Sequence, residues 1–128
     1  TVSELQEPLT MIGYPLGMPA KVSPGGRTLL NNPERESFLT NLDAFEGNSG
    51  SAVFNSANEV VGILVGGTPS VSFVEAGRSC AQYNRCDEDA RNCALPDQDT
   101  SVFPGFQGVG SEVQRIAPLL ELLRSLQK

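Results

Sequence analysis

Glycine, proline and asparagine interrupt the first half of this chain so often that only short extended segments fit between them. Candidate strands run over residues 9–14, 20–23, 27–30, 37–41, 51–55, 59–65, 71–74 and 109–113, and Asn55-Ser56-Ala57-Asn58 reads as the best hairpin turn. Many short strands at close spacing predict an all-β chain, built as a closed or sandwiched antiparallel sheet. The C-terminus reads differently. Ile116, Leu119, Leu120, Leu123 and Leu126 recur at three- and four-residue intervals, which predicts a helix whose apolar face packs as core against the sheet. Proline is tolerated in a first helical turn, so Pro118 places this helix at about residues 117–127. A start at Ser111, with Gln114 completing a capping box, would leave Pro118 in mid-helix.

The chain has 128 residues, enough for one domain with a core, and 39% apolar against 19% charged residues is globular composition. A net charge of −6 argues against nucleic acid or an anionic membrane as partner. No apolar run approaches the ~18 residues of a membrane-spanning helix. Thr1-Val2-Ser3-Glu4 has neither the basic start nor the apolar stretch of a leader, so the expectation is a chain taken from inside a larger product or left after processing.

Chemistry concentrates in Gly47-Asn48-Ser49-Gly50-Ser51, just before the apolar Ala52-Val53-Phe54. A serine hydroxyl attacks an acyl carbon only when a positioned base takes its proton. Glycines on either side permit positive φ and let a substrate carbonyl approach backbone N–H groups, so the amides of Gly47 and Ser49 can point at one oxyanion. A turn leading into a strand accounts for the same four residues without any chemistry. No histidine is present, and Lys21 and Lys128 are the only lysines. A Ser-Lys dyad would need one of them buried beside Ser49 with a lowered pKa, whereas lysines ordinarily stay solvated.

The run from Asp43 to Asn55, with Val60-Val61-Gly62-Ile63-Leu64-Val65-Gly66-Gly67 after it, resembles the nucleophile region and following strand of chymotrypsin-fold serine endopeptidases. The likeness is to the bacterial trypsin-like and glutamyl-endopeptidase branch. Tyr14-Pro15-Leu16-Gly17 resembles the opening of that branch's second barrel, and Gly108-Val109-Gly110-Ser111-Glu112-Val113 its closing strand. The resemblance thus implies the second of two barrels alone: a six-stranded antiparallel Greek-key barrel with a C-terminal helix. It also implies that Ser49 is the nucleophile, that Gly47 and Ser49 form the oxyanion hole, and that a missing N-terminal barrel, on the same precursor or a second chain, carries the catalytic His and Asp. The isolated chain should then be inactive, with an exposed apolar face awaiting a partner. No cofactor and no metal are implied.

The resemblance extends to substrate. Asp43, six residues before Ser49, matches an aspartate at the base of the specificity pocket in trypsin-type members, where it pairs with a substrate Arg or Lys. The alternative for Asp43 is a turn residue bonded to local backbone. Val65, Gly66 and Gly67 match the pocket wall that accepts substrate backbone hydrogen bonds. Members that cleave after glutamate use a pocket histidine on this barrel, so cleavage after Arg or Lys is expected. Two departures stand out: Asn48 replaces an aspartate that pairs with a newly cut N-terminus, and Ala52 replaces a proline.

About residues 68–107 form an insertion with Cys80, Cys86 and Cys93 among Asp87, Glu88, Asp89, Asp97 and Asp99. Three cysteines suggest an oxidising, secreted or periplasmic setting and one intrachain disulfide of open pairing. Zinc competes as a reading, but three thiols without histidine leave its tetrahedral set incomplete. The acidic residues lack an EF-hand spacing and read as a solvated loop. Alongside the protease reading stand a catalytically dead barrel kept for binding and an unrelated β module with a Ser-rich turn.

Overall fold

A computed structural model describes residues 7–67, 71–73, 81–83 and 110–127. Seven strands form one antiparallel sheet: β1 (Leu9–Gly13), β2 (Lys21–Gly26), β3 (Thr28–Leu30), β4 (Ser37–Thr40), β5 (Ala52–Phe54), β6 (Val60–Gly67) and, near the C-terminus, β9 (Ser111–Arg115). Its spatial order is β2-β1-β5-β6-β9-β4-β3. A separate two-stranded ribbon pairs β7 (Val71–Phe73) with β8 (Ala81–Tyr83), the latter lying where the sequence suggested only an insertion.

The sheet has seven strands where six are expected, and Arg27 accounts for the difference. Gly26, at the end of β2, pairs with Leu9, whereas Thr28, at the start of β3, pairs with Thr40. One residue therefore carries the chain from one edge of the sheet to the other, so β2 and β3 are a single bent strand and the two edges meet. The corner is held by Arg27 N–H donating to Asn41 Oδ1 (2.6 Å) and Asn41 N–H donating to Arg27 O (3.1 Å). A side chain at Gly26 would run into Leu42, so the corner also needs glycine's lack of a Cβ.

Side-chain alternation fills the interior. Along β1, Leu9, Met11 and Gly13 are buried while Thr10 is half-buried and Ile12 faces outward, the period-2 pattern of a strand with one core face. Leu9, Met11, Phe38, Leu42, Val53, Val61, Leu64 and Val113 form one cluster, each contributing roughly 1.5–3 kcal/mol by leaving water. All four residues of β4 are buried, and its hydroxyls are satisfied: Ser37 Oγ donates to Glu112 Oε1 (2.6 Å) and Thr40 Oγ1 to Ser111 O (3.2 Å). Arg115 caps this edge by lying over the Phe38 ring at 5.2 Å and donating through Nε to Arg35 O (3.0 Å). Burial lowers its pKa below the ordinary arginine value without discharging it.

The expected hairpin joins β5 to β6. Asn55 Oδ1 accepts from the N–H groups of Ala57 and Glu59 at 3.0 and 2.9 Å, and Asn58 takes the left-handed conformation at φ 61°. The C-terminal helix α1 (Ala117–Leu126) starts as expected, with proline in its first turn. The packing expected of its leucine stripe does not occur. No residue of α1 is buried, and Leu119, Leu120, Leu123 and Leu126 are 42–74% exposed. The reason lies in the helix's position: Ile116 N–H bonds Val61 O at the rim of the sheet (3.2 Å), and no described element packs along α1 beyond that point. The barrel interior is already filled by the strands' own side chains.

Candidate active site

The segment Phe45–Ser51 consists of two reverse turns sharing Asn48. Asn48 N–H donates to Phe45 O (3.0 Å) and Ser51 N–H to Asn48 O (2.9 Å), and the third residue of each turn is a glycine with positive φ, Gly47 at 93° and Gly50 at 88°. Glu46 and Ser49, the second residues, do not have positive φ, so both turns are type II, the type that requires glycine where these glycines stand. The second turn is tied to β6 by Gly50 N–H donating to Leu64 O (2.8 Å) and Leu64 N–H to Ser51 O (2.9 Å).

These turns alternate the side chains. Asn48 is 2% exposed, whereas Gly47, Ser49 and Gly50 are exposed. Asn48 anchors the loop and Ser49 presents its hydroxyl to solvent. Among the described residues, the N–H groups of Gly47 and Ser49 have no hydrogen-bond partner. Two free amides beside an exposed hydroxyl, on a loop fixed at both ends, are what an oxyanion site requires. The Asn48 Oδ1 is buried without a partner among those residues.

The loop leans on residues that the motif alone does not reveal. A Cβ at Gly47 would stand 2.9 Å from Tyr14 O and 3.1 Å from Leu16 N, and a Cβ at Gly13 would run into Ser51 Oγ. Leu16 N–H donates to Glu46 O at 2.7 Å. The segment after β1 therefore forms a wall behind the turn that carries Ser49. Its only sequence signal was Tyr14-Pro15-Leu16-Gly17, read above for its likeness rather than its contacts.

The structure brings Gly47, Ser49 and the start of Val65-Gly66-Gly67 together, because the Gly50–Leu64 bond lies one residue before Val65. Val65 is exposed, and Gly66 and Gly67 pair with Glu112 and Ser111 of β9. Asp43 is exposed and borders a cavity of about 320 Å3 that it shares with Phe45, Asn48, Met11, Met18 and Lys21. Val65, Gly66 and Gly67 do not line that cavity. Cys80, Cys86, Cys93 and nearly all of the acidic insertion lie outside the described residues, as does Lys128. No group of metal-binding side chains occurs among the described residues, and no described helix is long and apolar enough to cross a membrane.

Residues 2–63, from before β1 into β6 and including Ser49, match the model of the trypsin-like peptidase domain. Over that stretch the chain is similar to trypsin-like serine peptidases, with part of such a domain covered. It is also similar to glutamyl endopeptidase of Staphylococcus aureus. The strain MW2 protein is 34% identical over 68 residues, which is 53% of this chain and 21% of that relative. The strain MSSA476 protein is likewise 34% identical over 68 residues, 20% of its length. The match thus covers about a fifth of the relatives' length. No solved structure matches the chain significantly.

Proposed function

We propose that this chain is the nucleophile-bearing half of a serine endopeptidase that cleaves peptide bonds through an acyl-enzyme. The observation that carries the reading is the pair of unbonded amides, Gly47 N–H and Ser49 N–H, beside the exposed Ser49 hydroxyl. Ser49 Oγ attacks the scissile carbonyl, a histidine takes its proton, and the two amides receive the charge that develops on the carbonyl oxygen. The sequence has no histidine, so the base and its orienting aspartate come from a preceding barrel, on the same precursor or on a companion chain. Without them the isolated chain is inactive, because oxyanion assistance alone leaves only a small residue of the rate.

The exposed leucine face of α1 supports a partner of this kind. It is an apolar surface that no described part of the chain covers. Secretion fits a peptidase of this sort with three cysteines.

For substrate, the reading is cleavage after Arg or Lys. Asp43 stands six residues before Ser49 with an unpaired carboxylate among the described residues, and Glu46 adds a second negative charge to the same loop. Both favour a cationic side chain and repel glutamate. The relatives' name points to glutamate, whereas this chain lacks a histidine with which to neutralise it. Profiling the complete protein on a mixed peptide library tests the assignment. Cleavage after Arg or Lys, abolished in Ser49→Ala, is expected; a preference for acidic or aliphatic residues overturns the specificity.

A further inference from the structure

Type I and type II turns differ by a flip of their middle peptide, which exchanges the directions of its C=O and N–H while leaving the ends of the turn in place. In the turn Phe45–Asn48 the middle peptide is Glu46–Gly47, and its N–H is the Gly47 amide. With the trans peptides found throughout the described residues, Glu46 C=O and Gly47 N–H point in opposite directions. The Glu46 carbonyl accepts from Leu16 N–H at 2.7 Å, so the Gly47 amide is directed to the side away from the Tyr14–Met18 segment, where no described group meets it. A flip to type I would sacrifice the Leu16 bond and turn the Gly47 amide inward.

Leu16 makes this bond in a conformation that leucine disfavours. It sits at φ 55° followed by Gly17 at φ 73°, with Met18 N–H donating to Pro15 O at 2.9 Å, so Pro15–Met18 is a type I′ turn. The first central position of such a turn favours Asn, Asp or Gly. The leucine side chain is half exposed, so its packing does not explain the strain.

We infer that Leu16 is a positioning residue for the proposed reaction: its backbone N–H, presented by the left-handed turn, locks the Glu46–Gly47 peptide in the orientation that makes Gly47 an oxyanion donor. This rests on the reading of Gly47 as such a donor. The role belongs to the backbone, so substitutions sort by their tolerance of positive φ rather than by size or hydrophobicity.

The test uses the complete protein and an alkyl fluorophosphonate, whose reaction passes through a charged oxygen in the same site and is indifferent to substrate specificity. Leu16→Asn and Leu16→Gly keep the N–H and accept the left-handed conformation, so their inactivation rate constant should stay within ~3-fold of the parent. Leu16→Val resists positive φ, and its rate constant should fall by ~100-fold, the scale of losing one oxyanion donor, with the inhibitor's binding constant little changed. Equal losses in Asn, Gly and Val variants, or an undiminished Val variant, overturn the inference. The Asn and Gly variants accept the left-handed conformation, so a large loss in either overturns the inference even if Leu16→Val folds poorly. Crystal structures of the parent and Leu16→Val supply a readout independent of activity: the Glu46 carbonyl should turn away from residue 16 in the variant. A carbonyl that stays in place contradicts the inference whether or not the protein reacts, whereas a parent that fails to react contradicts only the peptidase reading.

Discussion

Gly47 sits so close to Tyr14 that a single added carbon would stand 2.9 Å from the Tyr14 carbonyl oxygen. That contact joins the segment following β1 to the turn that presents Ser49, and it makes glycine obligatory at 47 for two separate reasons, space and a φ of 93°. Gly47→Ala should therefore cost about 1–3 kcal/mol of stability and lower turnover by ~100-fold, because the strained turn releases an oxyanion donor. Denaturant unfolding and steady-state kinetics of the complete protein measure the two effects.

Asp43→Ser removes the carboxylate proposed to meet a basic substrate side chain. For Arg and Lys substrates kcat/KM should fall by ~100-fold, while a neutral residue at the cleavage site is affected far less. Peptide-library profiling of the variant against the parent measures the ratio.

The hairpin after β5 depends on one side chain. Asn55 is 8% exposed, accepts from two backbone amides and donates through Nδ2 to Glu59 Oε2 at 2.9 Å. Asn55→Ala leaves those amides to find other partners and should destabilise the chain by about 1–3 kcal/mol, read as a lower urea midpoint with an unchanged slope.

For α1, exposure in this chain and burial in a complete enzyme make opposite forecasts. Leu123→Gln should change the stability of the isolated chain by less than ~0.5 kcal/mol, as for other exposed positions. In the complete protein the same change should cost about 1–2 kcal/mol if a partner covers the stripe. Parallel urea titrations of the two forms compare these values.

Local chemistry made much of this fold legible. The Asn55–Asn58 turn, the helix start at Pro118 and most strand centres follow from side chains acting on their own backbone, which is information a sequence carries directly. The turn that presents Ser49 was legible for the same reason, since glycines at fixed offsets from a serine permit the positive φ that both adopt. Arg27 was harder: its place at a barrel corner depends on Gly26 and Thr28 finding different partner strands, and no local pattern records that. The α1 leucines show the converse limit. Their spacing correctly gives an apolar face, but periodicity does not say what covers it, and the barrel had no room left. Leu16 was invisible as a functional residue because its contribution is an N–H, which every residue but proline has.

Mass spectrometry of the complete, folded protein after exposure to a fluorophosphonate tests the central claim most directly. A single adduct on the peptide containing Ser49, absent in Ser49→Ala and absent when the isolated 128-residue chain is treated alone, is the predicted result. A folded complete protein that acquires no adduct, or one that acquires it at another serine, would contradict the assignment of Ser49 as nucleophile.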